Sequence, residues 1–310
     1  MNNNHFGFLI VDKPEGITSH DCVNVIRKIF NTRRVGHGGT LDPAVTGVLP
    51  IAVGSATRLF KYLPSGKTYQ AIIQLGKQTF TDDIHGEVIL EKEWPQIKDI
   101  FLEKLLENFR GNIQQKPPLI SSVHYKGERA YKKARKGENF ELPERNVSIH
   151  KLQLLNWDQT SGQISLNIHC STGTYIRSLA RDLGEMLECG GCLLRLRRTE
   201  SQGFHEKQSI LLPKVNKDLP TVPKLINPIN ALNHLKKMEL LTKEIIQSWR
   251  MGQEINICTG SSTLLSESMT PQSDLLKPIA VVNSNNELEG IGSWTKENSI
   301  KPKVVFNAIS

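Results

Sequence analysis

The chain has 310 residues, 38% hydrophobic and 23% charged, with a formal net charge of +8. That length admits one large domain or a large one with a small companion, and the basic balance favours a polyanionic partner without demanding one. No apolar run approaches the roughly 18 residues of a membrane span, and the N-terminus lacks the charged region and long apolar core of a signal peptide.

Five cysteines, an odd number spread over the chain, point to reduced thiols in a cytoplasm. Cys189 and Cys192 form one CxxC, but no second pair stands at zinc spacing, so no metal is expected.

In chain order, "FGFLIVDKPEG" is an apolar run stopped by Pro14 and Gly16, which predicts a buried strand entering a turn. "TSHDCVNVIRKIFN" predicts an amphipathic helix, with Ser19 as N-cap, Asp21 in the first turn, and Arg27 and Lys28 near the end. It delivers the chain to "RRVGHGGTLDPAVTGVLP", where glycines lead to a single carboxylate, Asp42, followed by Pro43. "GVLPIAVGSATRLFKYL" predicts a short buried segment and a second helix.

"KTYQAIIQLG" alternates, with Tyr69, Ala71, Ile73 and Leu75 on one face, as a half-buried strand requires. Between Glu128 and Lys136 a short basic helix is expected, its simplest role being a solvated face. "QISLNIHC" is another alternating strand. It runs through "STGTYIR" into a helix with Ile176, Leu179, Ala180, Leu183 and Leu187 at helical spacing, which puts Tyr175 and Arg177 at a strand-to-helix junction.

Residues 207–228 read as a surface connector rich in proline and lysine. After it, Thr242 caps a short helix that Gly252 stops, a hairpin turns around Ser284–Asn286, and "KPKVVF" is a last strand. Residues 240–310 thus form a small, mostly β domain, with a polar, mobile stretch expected at 259–274.

The chemistry of Asp42 stays open on these grounds. A glycosidase of the usual kind needs two carboxylates, and the loop supplies one. Asp82 and Asp83 are candidates for a second, but a surface turn explains them equally well. The glycine spacing fits neither a P-loop nor a dinucleotide fingerprint. What remains is a lone aspartate acting as nucleophile or base beside an orienting cation, or a structural Asp-Pro turn.

Taken together, "VDKPEGITSHDCVNVIRK", "GHGGTLDPAVTGVLPIAVGSATR", "KTYQAIIQLGKQTFTDDIHG" and "CSTGTYIRSLARDLGEMLECGG" resemble, in this order, the TruB family of bacterial tRNA pseudouridine-55 synthases. The resemblance spans roughly Phe8 to Arg198. It implies an α+β fold with a mixed, mainly antiparallel central sheet and flanking helices, over residues 1–238. A basic, RNA-gripping insertion is implied at about 112–145, and a β-rich, PUA-like RNA-binding domain at 239–310.

The resemblance also implies residue roles. Asp42 matches the catalytic nucleophile, Tyr69 the tyrosine stacked on a flipped base, and Arg177 the arginine paired with the aspartate. His37, Tyr175 and Leu196 match substrate-binding positions. Lys126, Arg129, Lys132, Lys133 and Arg135 become RNA-binding candidates, and the arginines of "RLRR" at 195–198 are placed to meet phosphates. The implied partner is the TΨC arm of tRNA, met by a monomer without cofactor, metal or protein partner. Two departures stand out. "DPAVTG" replaces the family's "DPLATG", and His124 in "ISSVHYKG" replaces a basic residue. The alternatives are a guide-RNA-dependent synthase and a non-catalytic RNA-binding or RNA-folding protein.

Overall fold

The computed structural model describes residues 5–213, 222–256, 262–264, 275–295 and 299–309. Among these, ten strands form one large mixed sheet. Its main members are β1 (Gly7–Lys13), β2 (Val35–His37), β3 (Thr46–Val53), β4 (Lys67–Leu75), β5 (Gly111–Gln115), β6 (Arg145–Asp158), β7 (Gln163–Cys170) and β8 (Gly191–Ser201). The order across the sheet is β1-β3-β8-β4-β7-β6-β5, with β2 on β3 and the short strand Ile210–Leu211 on the outer side of β1. Only the β3–β8 pair and the Ile210–Leu211 edge are parallel, so the sheet is mainly antiparallel, as expected.

Alternation in the sequence becomes burial in the sheet. Tyr69, Ala71, Ile73 and Leu75 of β4 and Ile164, Leu166, Ile168 and Cys170 of β7 all turn into one core. Three helices cover that face: α1 (Ser19–Ile29), α2 (Asp99–Leu106) and, along β8, α4 (Ile176–Met186); α3 (Ala130–Arg135) lies in the insertion. Helix α4 comes so close to β8 that a Cβ on Gly184 would stand 2.0 Å from the Gly191 nitrogen. Glycine there is what lets the helix seat. The N-cap of α1 is Thr18, not Ser19. The Thr18 hydroxyl accepts from Asp21 N at 3.1 Å and the Asp21 carboxylate accepts from Thr18 N at 2.9 Å, a reciprocal capping box. Ser19 is thereby free for a different task, described below. The second expected helix is a 3₁₀ segment, Gly54–Tyr62.

The other face of β1 and β3 carries Phe8, Ile10, Val48 and Ala52, which pack against the C-terminal sheet through Ala280, Val282, Val304 and Phe306. That second sheet begins with Lys236–Leu240 and includes Pro278–Asn283, Leu288–Trp294 and Ser299–Val305. Thr242 caps the intervening helix, accepting from Ile245 N, and Gly252 stops it at φ +78°. The hairpin turns at Ser284–Asn286 as expected. Apart from the strand Ser262–Leu264, the polar stretch 259–274 lies outside the described residues, as do 214–221 of the connector and Cys258. No helix among the described residues is long and apolar enough to cross a membrane.

Candidate active site

Asp42 sits on a loop clamped from two sides. Lys13, at the end of β1 and fully buried, donates its ammonium to the carbonyls of Pro14 (2.8 Å), Ile17 (2.7 Å) and Pro43 (3.1 Å). Burial pulls its pKa down. The Ser19 hydroxyl accepts from Leu41 N at 2.8 Å and donates to Leu41 O at 3.1 Å. The residues on either side of Asp42 are therefore held while its own side chain stays 47% exposed. Neither clamp was singled out in the sequence. The signal was the polar pair inside "VDKPEGITS", a lysine ending an apolar run and a serine one place past the cap.

The Asp42 carboxylate meets Arg177 Nη2 at 3.0 Å. Arg177, in the first turn of α4 and only 7% exposed, also donates to Thr81 O at 3.0 Å and Ile120 O at 2.9 Å. Its other nitrogen lies 3.7 Å from Asp83 Oδ2. A second carboxylate therefore stands at the site after all. Its neighbour Asp82 is no surface-turn residue either: it is buried at φ +59° and pairs with Arg181 at 2.9 Å. Burial pushes the Asp82 carboxyl up to about 6.

A cavity of about 220 Å³ opens beside Asp42, and Tyr69, Tyr175, Arg177, Leu196 and Lys67 share its wall. Five residues from loop, strand and helix thus converge: Asp42, Tyr69, Tyr175, Arg177 and Leu196. Tyr69 is buried, which raises its phenol pKa, while the nearby Arg198 guanidinium opposes the rise. The backbone of Tyr175 is gripped by the Gln115 amide, which accepts from Tyr175 N at 2.8 Å and donates to its carbonyl at 3.0 Å. His37 stands apart from the cavity wall. Its Nδ1 accepts from Gly39 N at 3.3 Å, and burial with Arg198 nearby lowers its pKa, favouring a neutral ring.

The "RLRR" expectation fails for two of its arginines. The segment is in the middle of the sheet, between β3 and β4. Arg198 is fully buried and donates to Val48 O (2.7 Å) and Gly39 O (3.1 Å), and Arg197 grips Asp12 with two bonds of 2.9 Å. The alternation that turns Leu196 toward the core also turns Arg198 there, because they are two residues apart. Arg195 alone remains exposed.

In the insertion, α3 is shorter than expected and follows a small hairpin, His124–Tyr125 with Glu128–Arg129. Lys126, Arg129, Lys132 and Arg135 are exposed, whereas Lys133 pairs with Glu138 at 2.7 Å. Val123, Ala130 and Leu142 form a small core here, against which Tyr175 packs, so the insertion rests on a wall residue of the cavity.

Residues 27–176 match the N-terminal domain of the TruB family pseudouridylate synthases, and residues 177–232 match the C-terminal domain of tRNA pseudouridylate synthase B. The chain belongs to the TruB family. Relatives in that family include tRNA pseudouridine synthase B of Prochlorococcus marinus strain NATL2A, 51% identical over 98% of each chain. The same enzyme of Parasynechococcus marenigrum is 48% identical, again over 98% of both. As a TruB family member the protein is a tRNA pseudouridine synthase, an isomerase. The fold is shared with a Cbf5–Nop10–Gar1 complex (TM-score 0.69, 25% identity, 97% of this chain and 84% of that one). It is also shared with an H/ACA ribonucleoprotein bound to a substrate RNA containing 2′-deoxyuridine (TM-score 0.69, 24% identity, 97% and 85%).

Proposed function

We propose that the protein isomerises uridine 55 in the TΨC arm of tRNA, acting alone and without guide RNA, with Asp42 as nucleophile. The observation that carries this reading is the Asp42 carboxylate, held at 3.0 Å by Arg177 on a cavity that Tyr69 also walls. The reaction breaks the N1–C1′ bond, rotates the uracil and forms C5–C1′; the C5 proton leaves and N1 regains one. Atoms and electrons balance within the nucleotide, so neither a redox partner nor ATP is called for.

A uridine in a folded stem-loop is stacked, so it must be flipped out to reach a cavity of this kind. Tyr69 and Leu196 provide the apolar surface for the ring, Tyr175 closes one side, and His37 meets the nucleotide beyond the cavity. Arg177 pairs with the Asp42 carboxylate at 3.0 Å and holds it in the orientation that faces the cavity. Lys126, Arg129, Lys132, Lys133 and Arg135 of the insertion grip the RNA backbone, Lys133 by exchanging Glu138 for phosphate, and the C-terminal sheet adds a PUA-like RNA contact. The catalytic domain is residues 1–238, the RNA-binding domain 239–310, and the protein works as a cytoplasmic monomer.

The test is tritium release from unmodified tRNA carrying [5-³H]uridine, wild type beside Asp42→Asn, with no guide RNA added. Release by wild type alone, mapped to position 55, is the expected result. Release at another position would overturn the specificity, and equal release by both proteins would remove Asp42 from the chemistry. Tight tRNA binding with no release would turn the reading toward a guide-dependent enzyme.

A further inference from the structure

Arg198 is fully buried and off the cavity wall, yet its guanidinium joins three parts of the site. Nη2 donates to Gly39 O at 3.1 Å, on the approach to Asp42, and Nε donates to Val48 O at 2.7 Å, in the strand that follows it. The guanidinium also hydrogen-bonds the side chain of Tyr69, which is on the cavity wall. Register makes this contact a direct one, since Arg198 of β8 stands opposite Tyr69 of β4. On its other side Arg198 pairs with Gly47 of β3, where a Cβ would stand 2.2 Å from the Arg198 carbonyl oxygen. Glycine there lets the strand leaving the Asp42 loop close onto β8.

The partners of this cation are two carbonyls and a phenol, all neutral. Burying a charge against neutral acceptors costs free energy that an apolar side chain in the same place would not. What the guanidinium supplies in return is geometry. Its donors are fixed in one plane, so the acceptors it binds are fixed relative to one another. Two of those acceptors bracket Asp42 in sequence and the third belongs to Tyr69. Lys13 and Ser19 hold the Asp42 loop to β1 and α1, and Arg198 adds the link to β4.

We infer that Arg198 is a positioning residue for the reaction, its guanidinium holding the Tyr69 ring and the Asp42 loop at one fixed spacing across the cavity. This rests on the reading that the cavity takes a flipped uridine. Arg198 itself meets no substrate atom. It acts through Tyr69, against which the base lies, and through the backbone that carries the carboxylate.

The test measures single-turnover isomerisation and tRNA affinity separately, in Arg198→Met, Tyr69→Phe and the double variant. Arg198→Met is expected to slow isomerisation about hundredfold with affinity within about threefold of wild type, because misplacement penalises the chemical step. Tyr69→Phe keeps the ring and loses only the bonded oxygen, so a loss of about tenfold is expected, the worth of one hydrogen bond. Added to Arg198→Met it should cost nothing further, the bond being already gone. Losses that multiply would overturn the inference, and so would an Arg198→Met protein that loses affinity as much as rate. Arg198→Lys keeps the buried charge without the planar fork, and it replaces Arg198→Met in the cycle if that protein does not fold. A wild-type rate in Arg198→Lys would also overturn the inference, since charge alone would then suffice. Multiplying losses beside normal wild-type conversion of uridine 55 reject the role of Arg198 alone. Wild type that converts no uridine 55 rejects the position-55 reading and the inference with it.

Discussion

The Asp42 carboxylate lies 3.0 Å from the Arg177 guanidinium, and the two differ sharply in surroundings: Arg177 is 7% exposed, Asp42 47%. The cation is part of the framework and the acid is presented to the cavity. Removing the acid should therefore damage chemistry far more than folding. Asp42→Asn is expected to lower pseudouridine formation by about 10³-fold or more while shifting unfolding free energy by less than about 1 kcal/mol. Single-turnover kinetics beside urea denaturation checks both halves.

Arg177 should behave in the opposite way. Arg177→Met leaves the Thr81 and Ile120 carbonyls without a donor and Asp83 without its cation. Removing one member of such a buried arrangement costs about 3 kcal/mol. A urea midpoint unchanged from wild type would show that Arg177 is not the framework cation described here.

Lys13 is not on the wall of the cavity beside Asp42, yet it holds the Pro43 carbonyl next to that residue. Lys13→Met leaves the Pro14, Ile17 and Pro43 carbonyls without their shared donor, and a loss of about 2 kcal/mol is expected together with a fall in kcat that exceeds any change in RNA affinity. Equal kcat in a folded variant would disconnect the clamp from catalysis.

Lys67 gives a pH signature. Its folded-state pKa of about 8 is below the unfolded value of 10.5, so the unfolded chain holds the proton more tightly. Stability therefore rises with pH between about 8 and 10.5, by roughly 2–3 kcal/mol from this group, and is not gained below that window. The unfolding free energy of wild type minus that of Lys67→Met, followed from pH 7 to 10, should climb accordingly. A flat difference curve would contradict the desolvation of Lys67.

Local chemistry was enough to place much of this protein. Alternation in "KTYQAIIQLG" and "QISLNIHC" identifies two central strands and the buried side of each, because side chains of a strand take opposite faces in turn. The helical spacing after "STGTYIR" puts Arg177 at the head of α4, and the Asp42 loop is marked by its own glycines and proline. Motif resemblance then named the fold and the family.

Tertiary structure decided what spacing cannot encode. That Arg198 is buried, that Asp83 reaches Arg177 from the far side of the site, and that Lys13 and Ser19 clamp the Asp42 loop all depend on contacts between segments distant in sequence. A charged residue on a strand reads as exposed until its neighbours are known, since burial is a property of what packs on it. Whether a charge is bound to carbonyls inside the sheet, as at Arg198, or left exposed, as at Arg195, is decided by the same packing.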